Sequence, residues 1–174
     1  MEQNPSCLHI GGKEAKAGWK ILNIQPADGV DFVGDIQDLS QFRDEMFDVI
    51  YNSHVLEHVP QARIARTLTG LHRILKPGGQ LMISVPDLET LCKLFTNPTI
   101  NKLKRFEVMR MMFGGQVDSH DFHLTGLTFE FMQDYLRAAK FKSVTRIDHF
   151  GIFNDSSSFT FCGAPVSLNL IARK

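Results

Sequence analysis

The sequence predicts an α/β protein built on parallel strands, and the segment from residue 47 to 86 supplies the main observations. Residues 49–51 and 81–85 are short apolar runs, partly β-branched, which is typical of strands covered on both faces. Such a strand–helix–strand unit is nearly always a right-handed crossover between parallel strands. The intervening helix is indicated by apolar residues at helical spacing, namely Ile64, Leu68, Leu71 and Leu75.

The ends of this unit carry polar and turn-forming residues. Asn52, Ser53 and His54 follow the first strand, at the edge of a parallel sheet where ligands usually bind. Pro60 suits a first helical turn, and residues 76–79, Lys-Pro-Gly-Gly, are expected to stop the helix and turn the chain.

The N-terminal region is predicted to contain three strands, at residues 8–10, 19–24 and 30–33. Six residues, 13–18, separate Gly12 from the second strand. Parallel strands are normally joined by a dozen or more residues. The first crossover helix is therefore expected to be short or missing.

The C-terminal half is predicted to contain three helices and two closing strands. The helices span residues 87–95 and 101–113 and a segment capped by Thr128. Met132, Leu136 and Ala139 would share one face of that last helix. The closing strands are expected at 143–150 and 166–172.

Length, composition and charge favour one domain that acts on a small molecule or neutral polymer. The chain has 174 residues and is 43% hydrophobic, enough to bury a sizeable core. Lys plus Arg and Asp plus Glu both total 19, and no long basic run occurs. This balance argues against a nucleic-acid surface.

The cysteines and the N-terminus favour a cytoplasmic protein. Cys7, Cys92 and Cys162 are odd in number and lack metal-ligand spacing, which is typical of a reducing compartment. Neither a signal peptide nor a membrane span is apparent, and no membrane partner is expected.

Several motifs together resemble small class I S-adenosylmethionine-dependent methyltransferases of the type 11 kind. They are LHIGG, GWKILNI, GVDFVGDIQDL, FDVIYNSHVLEHV, RILKPGGQLMISVPD and DFHLTG. The resemblance runs from about residue 8 to 174. It implies a Rossmann-like, doubly wound, mostly parallel seven-stranded sheet with a final antiparallel strand. It also implies a single domain over 1–174, with 87–128 as an acceptor-side insertion.

The resemblance implies that S-adenosyl-L-methionine is the cofactor and that a loop after the first strand approaches it. Gly11 and Gly12 match this loop, in which a residue without Cβ lets the backbone come close. Lys13 replaces a third small residue of the family pattern. A left-handed backbone there would cost about 1–2 kcal/mol, so the loop is expected to be reshaped or the cofactor affinity lowered.

Four further positions are carried over from the family. Asn23 stands where an acidic residue usually holds the ribose hydroxyls, and it lacks the charge that strengthens such bonds. Asp35 matches the contact to the adenine amino group, and Ile36 the residue that packs on the ring. His54 matches the end of the fourth strand, near the methionine portion of the cofactor.

The catalytic candidates are His120 and His123, with Asp121 or Asp118 as an orienting partner. A His near neutral pKa could remove a proton from the acceptor. The alternative is a hydrogen-bonded loop without a catalytic role. The acceptor is expected to be a small molecule or sugar-like compound. The sequence is compatible with a homodimer.

Two alternative functions remain at this point. The spelling His54-x-x-Glu57-His58 matches an inverted zinc-hydrolase pattern, but Pro60 argues against the long helix that this site needs. Glu57 and His58 are therefore interpreted as a polar first helical turn, and no metal is expected. A non-catalytic methyltransferase-like binding or regulatory domain is the second alternative, suggested by Lys13 and Asn23.

Overall fold

The computed structural model describes residues 5–174 and contains a seven-stranded sheet of order β3-β2-β1-β4-β5-β9-β6. Strand β9 is antiparallel to both of its neighbours, and the other pairs are parallel, which confirms the predicted Rossmann-like sheet. Residues 1–4, which begin the predicted domain and the segment searched for a signal peptide, lie outside the described range. The elements are β1 (Cys7–Ile10), β2 (Trp19–Asn23), β3 (Phe32–Val33), β4 (Phe47–Ser53), α1 (Ile64–Ile74), β5 (Leu75–Pro86), α2 (Leu88–Thr96), α3 (Lys102–Phe113), α4 (Phe129–Ala138), β6 (Ser143–Ile147), β7 (Thr160–Phe161), β8 (Ala164–Pro165) and β9 (Ser167–Arg173).

Strand β5 begins six residues earlier than predicted, because the expected turn at 76–79 is a bulge within it. The Cα partners shift from Phe47 with Leu75 to Val49 with Gln80, so the extra residues bulge out of the ladder. Gly78 has φ +76°, a backbone conformation that favours glycine. The apolar run at 81–85 lies within the continuously paired part of the strand, residues 80–86. Strands β3 and β6, by contrast, are shorter than predicted.

One face of the sheet is covered by α1 and α4, which bury the main hydrophobic core. Helix α4 begins as predicted, since Thr128 Oγ1 accepts a hydrogen bond from Phe131 N at 3.3 Å. Met132, Leu136 and Ala139 are each at most 1% exposed, which confirms their predicted face.

The opposite face lacks the first crossover helix, as predicted, because residues 11–18 contain no helix. Residues from the β6–β9 connection cover this face instead. The ring of Phe153 lies 4.0 Å from that of His9 and 5.1 Å from that of Tyr51, measured between centroids. The Tyr51 hydroxyl donates to Asp155 Oδ2 at 2.6 Å, and Trp19 packs on the same cluster. An aromatic cluster thus takes the place of a helix.

Helices α2 and α3 lie within residues 87–128 and bury a second, smaller core. Asp87 caps α2 and forms an ion pair with Arg146 of β6, with 2.8 Å between Oδ2 and Nη2. This contact connects the start of α2 to the sheet. Among residues 5–174, no helix is both long and apolar enough to cross a membrane.

Candidate functional site

The carboxyl ends of β1 and β4 meet at a glycine loop that leaves no room for side chains. Gly11 has φ +79°, and a Cβ on it would lie 2.3 Å from Val55 Cγ2. A Cβ on Gly12 would lie 2.4 Å from His9 Nδ1. Both positions therefore require glycine, which keeps the loop backbone bare.

Asn23, at the end of β2, holds this loop through its side-chain amide. Its Nδ2 donates to Gly12 O at 3.0 Å, and its Oδ1 accepts from Gln25 N at 3.0 Å. A carboxylate could not donate the first of these bonds. The asparagine thus belongs to the local structure of the loop as well as to the predicted ribose position.

Lys13 does not adopt the strained conformation considered from the sequence. Its φ is not positive, and its side chain is exposed. The loop is reshaped instead, since it runs to Trp19 without a helical turn.

The predicted adenine-side residues lie at the end of β3. Asp35 Oδ1 accepts from Gln37 N at 2.9 Å and so stabilises a turn, while the carboxylate stays half-buried. Ile36 is only 5% exposed and packs in the main core. Asp35 therefore offers a polar group at this edge, and Ile36 mainly supports the turn from below.

The end of β4 combines a strained residue with a buried amide. His54 has φ +53°, a conformation that costs a non-glycine residue about 1–2 kcal/mol. Its Nε2 lies 3.0 Å from Ser167 Oγ. Asn52 is fully buried beside Ile10, and its amide has no hydrogen-bond partner within residues 5–174. Unpaired polar atoms of this kind mark an edge suited to a polar ligand.

The interpretation of Glu57 and His58 as a polar first helical turn was wrong. The chain forms single 3₁₀ turns at Leu56–His58 and Gln61–Arg63 before α1, and Glu57 points inward at 1% exposure. The loop that follows α3 covers it, since Leu124 N and Thr125 N both donate to Glu57 O. A lone 3₁₀ turn also differs from the long helix of the zinc-hydrolase pattern.

His123 lies in this covering loop and meets His58 ring to ring, with centroids 4.9 Å apart. His58 Nδ1 lies 3.0 Å from Phe122 O, and His123 Nδ1 lies 3.0 Å from Met111 O. Burial lowers the pKa of His123, an effect that the nearby Glu57 carboxylate partly offsets. One potential ligand atom from each of Glu57, His58 and His123 lies within 4.8 Å of the other two.

His120 and Asp121, the other catalytic candidates, do not join this cluster. His120 is exposed, and its backbone N–H donates to Asp118 Oδ1 at 2.7 Å. Asp121 Oδ2 accepts from Val117 N at 3.3 Å within the same loop. Of the three residues in this cluster, His123 is the one predicted as catalytic from the sequence. The other two, Glu57 and His58, belong to the His-x-x-Glu-His spelling that could have identified them.

Residues 11–83 match a family model described as a methyltransferase domain. This match covers the glycine loop and the ends of β2, β3 and β4, and the sheet has the seven strands and the final antiparallel strand that the resemblance implied. Residues 11–83, less than half of the chain, are thus similar to a methyltransferase domain. The cofactor of that family is S-adenosylmethionine.

Solved structures share the fold of this chain at low sequence identity. An S-adenosylmethionine-dependent methyltransferase from Archaeoglobus fulgidus is 16% identical, with a TM-score of 0.60 over 97% of this chain and 85% of the other. The 1,6-didemethyltoxoflavin-N1-methyltransferase of Burkholderia thailandensis is also 16% identical, with a TM-score of 0.56 over 98% and 72%.

A possible exported protein from Bordetella parapertussis is a further match, at 16% identity and a TM-score of 0.58. It covers 98% of this chain, which spans only 62% of the longer protein. No curated protein matches the sequence.

Proposed function

We propose that this methyltransferase domain transfers a methyl group from S-adenosylmethionine to a small-molecule acceptor. The observation that carries the proposal is the bare glycine loop beside the buried amide of Asn52. Together they leave backbone without side chains and unpaired polar atoms at the sheet edge where ligands of this fold class bind. The residues present therefore suit a polar cofactor.

Specific roles follow for the residues of this edge. Gly11 and Gly12 would let the loop approach the cofactor, and Asn23 would hold that loop and offer its remaining N–H to the ribose. Asp35 would accept from the adenine amino group above Ile36. His54 would lie near the methionine portion. S-adenosylmethionine supplies an activated methyl group, so the protein's task is mainly to orient the acceptor.

The acceptor side would be formed by the loop after α3. Phe122 and Leu124 flank His123 and are 43% and 55% exposed. Phe113 O accepts from His123 N at 3.1 Å, so the 55% exposed Phe113 side chain belongs to the same surface. Apolar side chains around one imidazole suit a small, partly apolar acceptor better than a polyanion.

Calorimetry with S-adenosylmethionine and its demethylated product tests cofactor binding. Gly11→Ala should abolish the heat of binding, because its Cβ would displace Val55 at the site. Gly18→Ala is the matched control: its φ is +83°, but a Cβ there meets nothing within 4 Å. No heat from the unaltered protein at millimolar ligand would overturn the proposal.

A non-catalytic binding domain is the second candidate, favoured by the amide of Asn23 being engaged with the loop backbone. A non-catalytic domain would bind neither S-adenosylmethionine nor its demethylated product, or would bind both without transferring the methyl group. Incubating the protein with radiolabelled S-adenosylmethionine and a panel of small hydroxyl and amine compounds separates the two candidates.

A further inference from the structure

The carboxylate of Glu57 is buried without a hydrogen-bond partner. Its side chain is 2% exposed, and neither oxygen is hydrogen-bonded to any residue in the range 5–174. His54 Nδ1 lies 3.2 Å from Oε1, in a geometry that is not that of a hydrogen bond. Burying an ionised carboxylate in this way is unfavourable unless a cation accompanies it.

The two imidazoles beside this carboxylate are oriented as metal ligands usually are. His58 and His123 each direct Nδ1 to a backbone carbonyl, those of Phe122 and Met111. A carbonyl accepts but cannot donate, so Nδ1 carries the proton and Nε2 keeps its lone pair. A backbone carbonyl on the far ring nitrogen is the common second partner of metal-bound histidine.

We propose that Glu57, His58 and His123 bind a divalent transition-metal ion. Two imidazoles and one carboxylate suit first-row ions such as Mn²⁺, Fe²⁺, Co²⁺ or Zn²⁺. The three ligand atoms lie within 4.8 Å of one another. Small movements of the side chains would place each ligand atom roughly 2.0–2.2 Å from a bound ion. Three protein ligands leave coordination positions open for water or an acceptor oxygen.

The ligands are held in place from two distant parts of the chain. Thr125 Oγ1 donates to Val59 O at 2.7 Å, and Leu124 N donates to Glu57 O at 2.8 Å. These bonds fasten the loop of His123 to the 3₁₀ turn of Glu57 and His58. The site is therefore assembled by the fold before any ion binds.

The metal site adds a role for this cluster within the proposed methyl transfer, and this part of the inference rests on that proposed function. The cluster begins three residues after His54, which would face the methionine portion of the cofactor. A bound ion could hold an acceptor oxygen at that edge and favour loss of its proton. Metal binding itself does not depend on this role.

Titration of the chelator-treated protein with Co²⁺, followed by its visible absorption, tests the site, with calorimetry for Zn²⁺ and Mn²⁺. We expect one equivalent to bind and the melting temperature to rise with metal concentration. Glu57→Gln and His123→Gln should each weaken binding by about 10-fold or more. His120→Gln is the matched control, since this exposed histidine lies in the same loop and should leave the affinity unchanged.

Absence of stoichiometric binding at millimolar metal would overturn the inference, as would unchanged affinity in both ligand variants. Glu57→Gln preserves side-chain shape and removes a buried charge, so it should fold, and His123→Gln provides an independent reading. The same samples are titrated with S-adenosylmethionine. Cofactor binding by the unaltered protein without metal binding would refute the metal site alone.

Discussion

Acid should destabilise this protein through His9, which lies beneath the glycine loop in the aromatic cluster. The imidazole is 6% exposed, and its Nδ1 has no hydrogen-bond partner among the described residues. Burial lowers its pKa from 6.5 to about 4, against a smaller opposing effect of the Asp155 carboxylate. The native state thus keeps His9 neutral at a pH where the unfolded chain protonates it.

The sign and size of the effect follow from these two values. The unfolded state binds more protons between pH 6.5 and pH 4, so the free energy of unfolding falls as the pH is lowered through this range. Between pH 7 and pH 5 the loss attributable to His9 is about 2 kcal/mol. His9→Gln cannot titrate and should remove this part of the loss.

Urea unfolding at both pH values measures the prediction. The unaltered protein should lose about 2 kcal/mol more between pH 7 and pH 5 than His9→Gln does, whatever the stability of the variant at neutral pH. His149→Gln, at an exposed position, should behave as the unaltered protein. Equal losses in the unaltered protein and His9→Gln would refute the reasoning.

Three further predictions concern the loop, the aromatic cluster and the core. Asn23→Asp introduces the acidic residue that is usual in the family. It should nevertheless lower the free energy of unfolding by about 1–3 kcal/mol, because a carboxylate cannot donate a hydrogen bond to Gly12 O. Thermal unfolding of this variant, compared with that of Asn23→Ser, measures the effect. Tyr51→Phe leaves Asp155 without its 2.6 Å donor and should cost about 1–2 kcal/mol in urea unfolding. Leu71→Ala empties a fully buried position in α1 and should cost about 2–5 kcal/mol, whereas Ala65→Gly on the exposed face should cost about 1 kcal/mol.

Local signals were sufficient where the partner of a segment did not matter. Thr128 caps α4 because its side-chain oxygen reaches an N–H only three residues away. The short distance from Gly12 to Trp19 excluded a crossover helix, since chain length alone limits what can fit. These features needed no knowledge of the rest of the fold.

Pairing between strands was not readable from local signals. The Lys-Pro-Gly-Gly segment looks like a turn, but its residues form a bulge because β4 pairs with the chain on both sides of it. The cover of the opposite face was also unforeseen. Phe153 and Asp155 reach His9 and Tyr51 from more than a hundred residues away, and only the folded chain brings them together.

The sequence by itself indicated the individual strands, the glycine loop and the motifs of the methyltransferase resemblance, because each of these is a short run of residues close together in the chain. Tertiary structure decided which polar residues share a site. His58 meets the carbonyl of Phe122 across 64 positions in the chain. That return of the chain makes Glu57, interpreted from the sequence as part of a polar helical turn, a buried carboxylate close to two histidines. Burial and proximity are properties of the whole fold, so the chemistry of this cluster could only be recognised there.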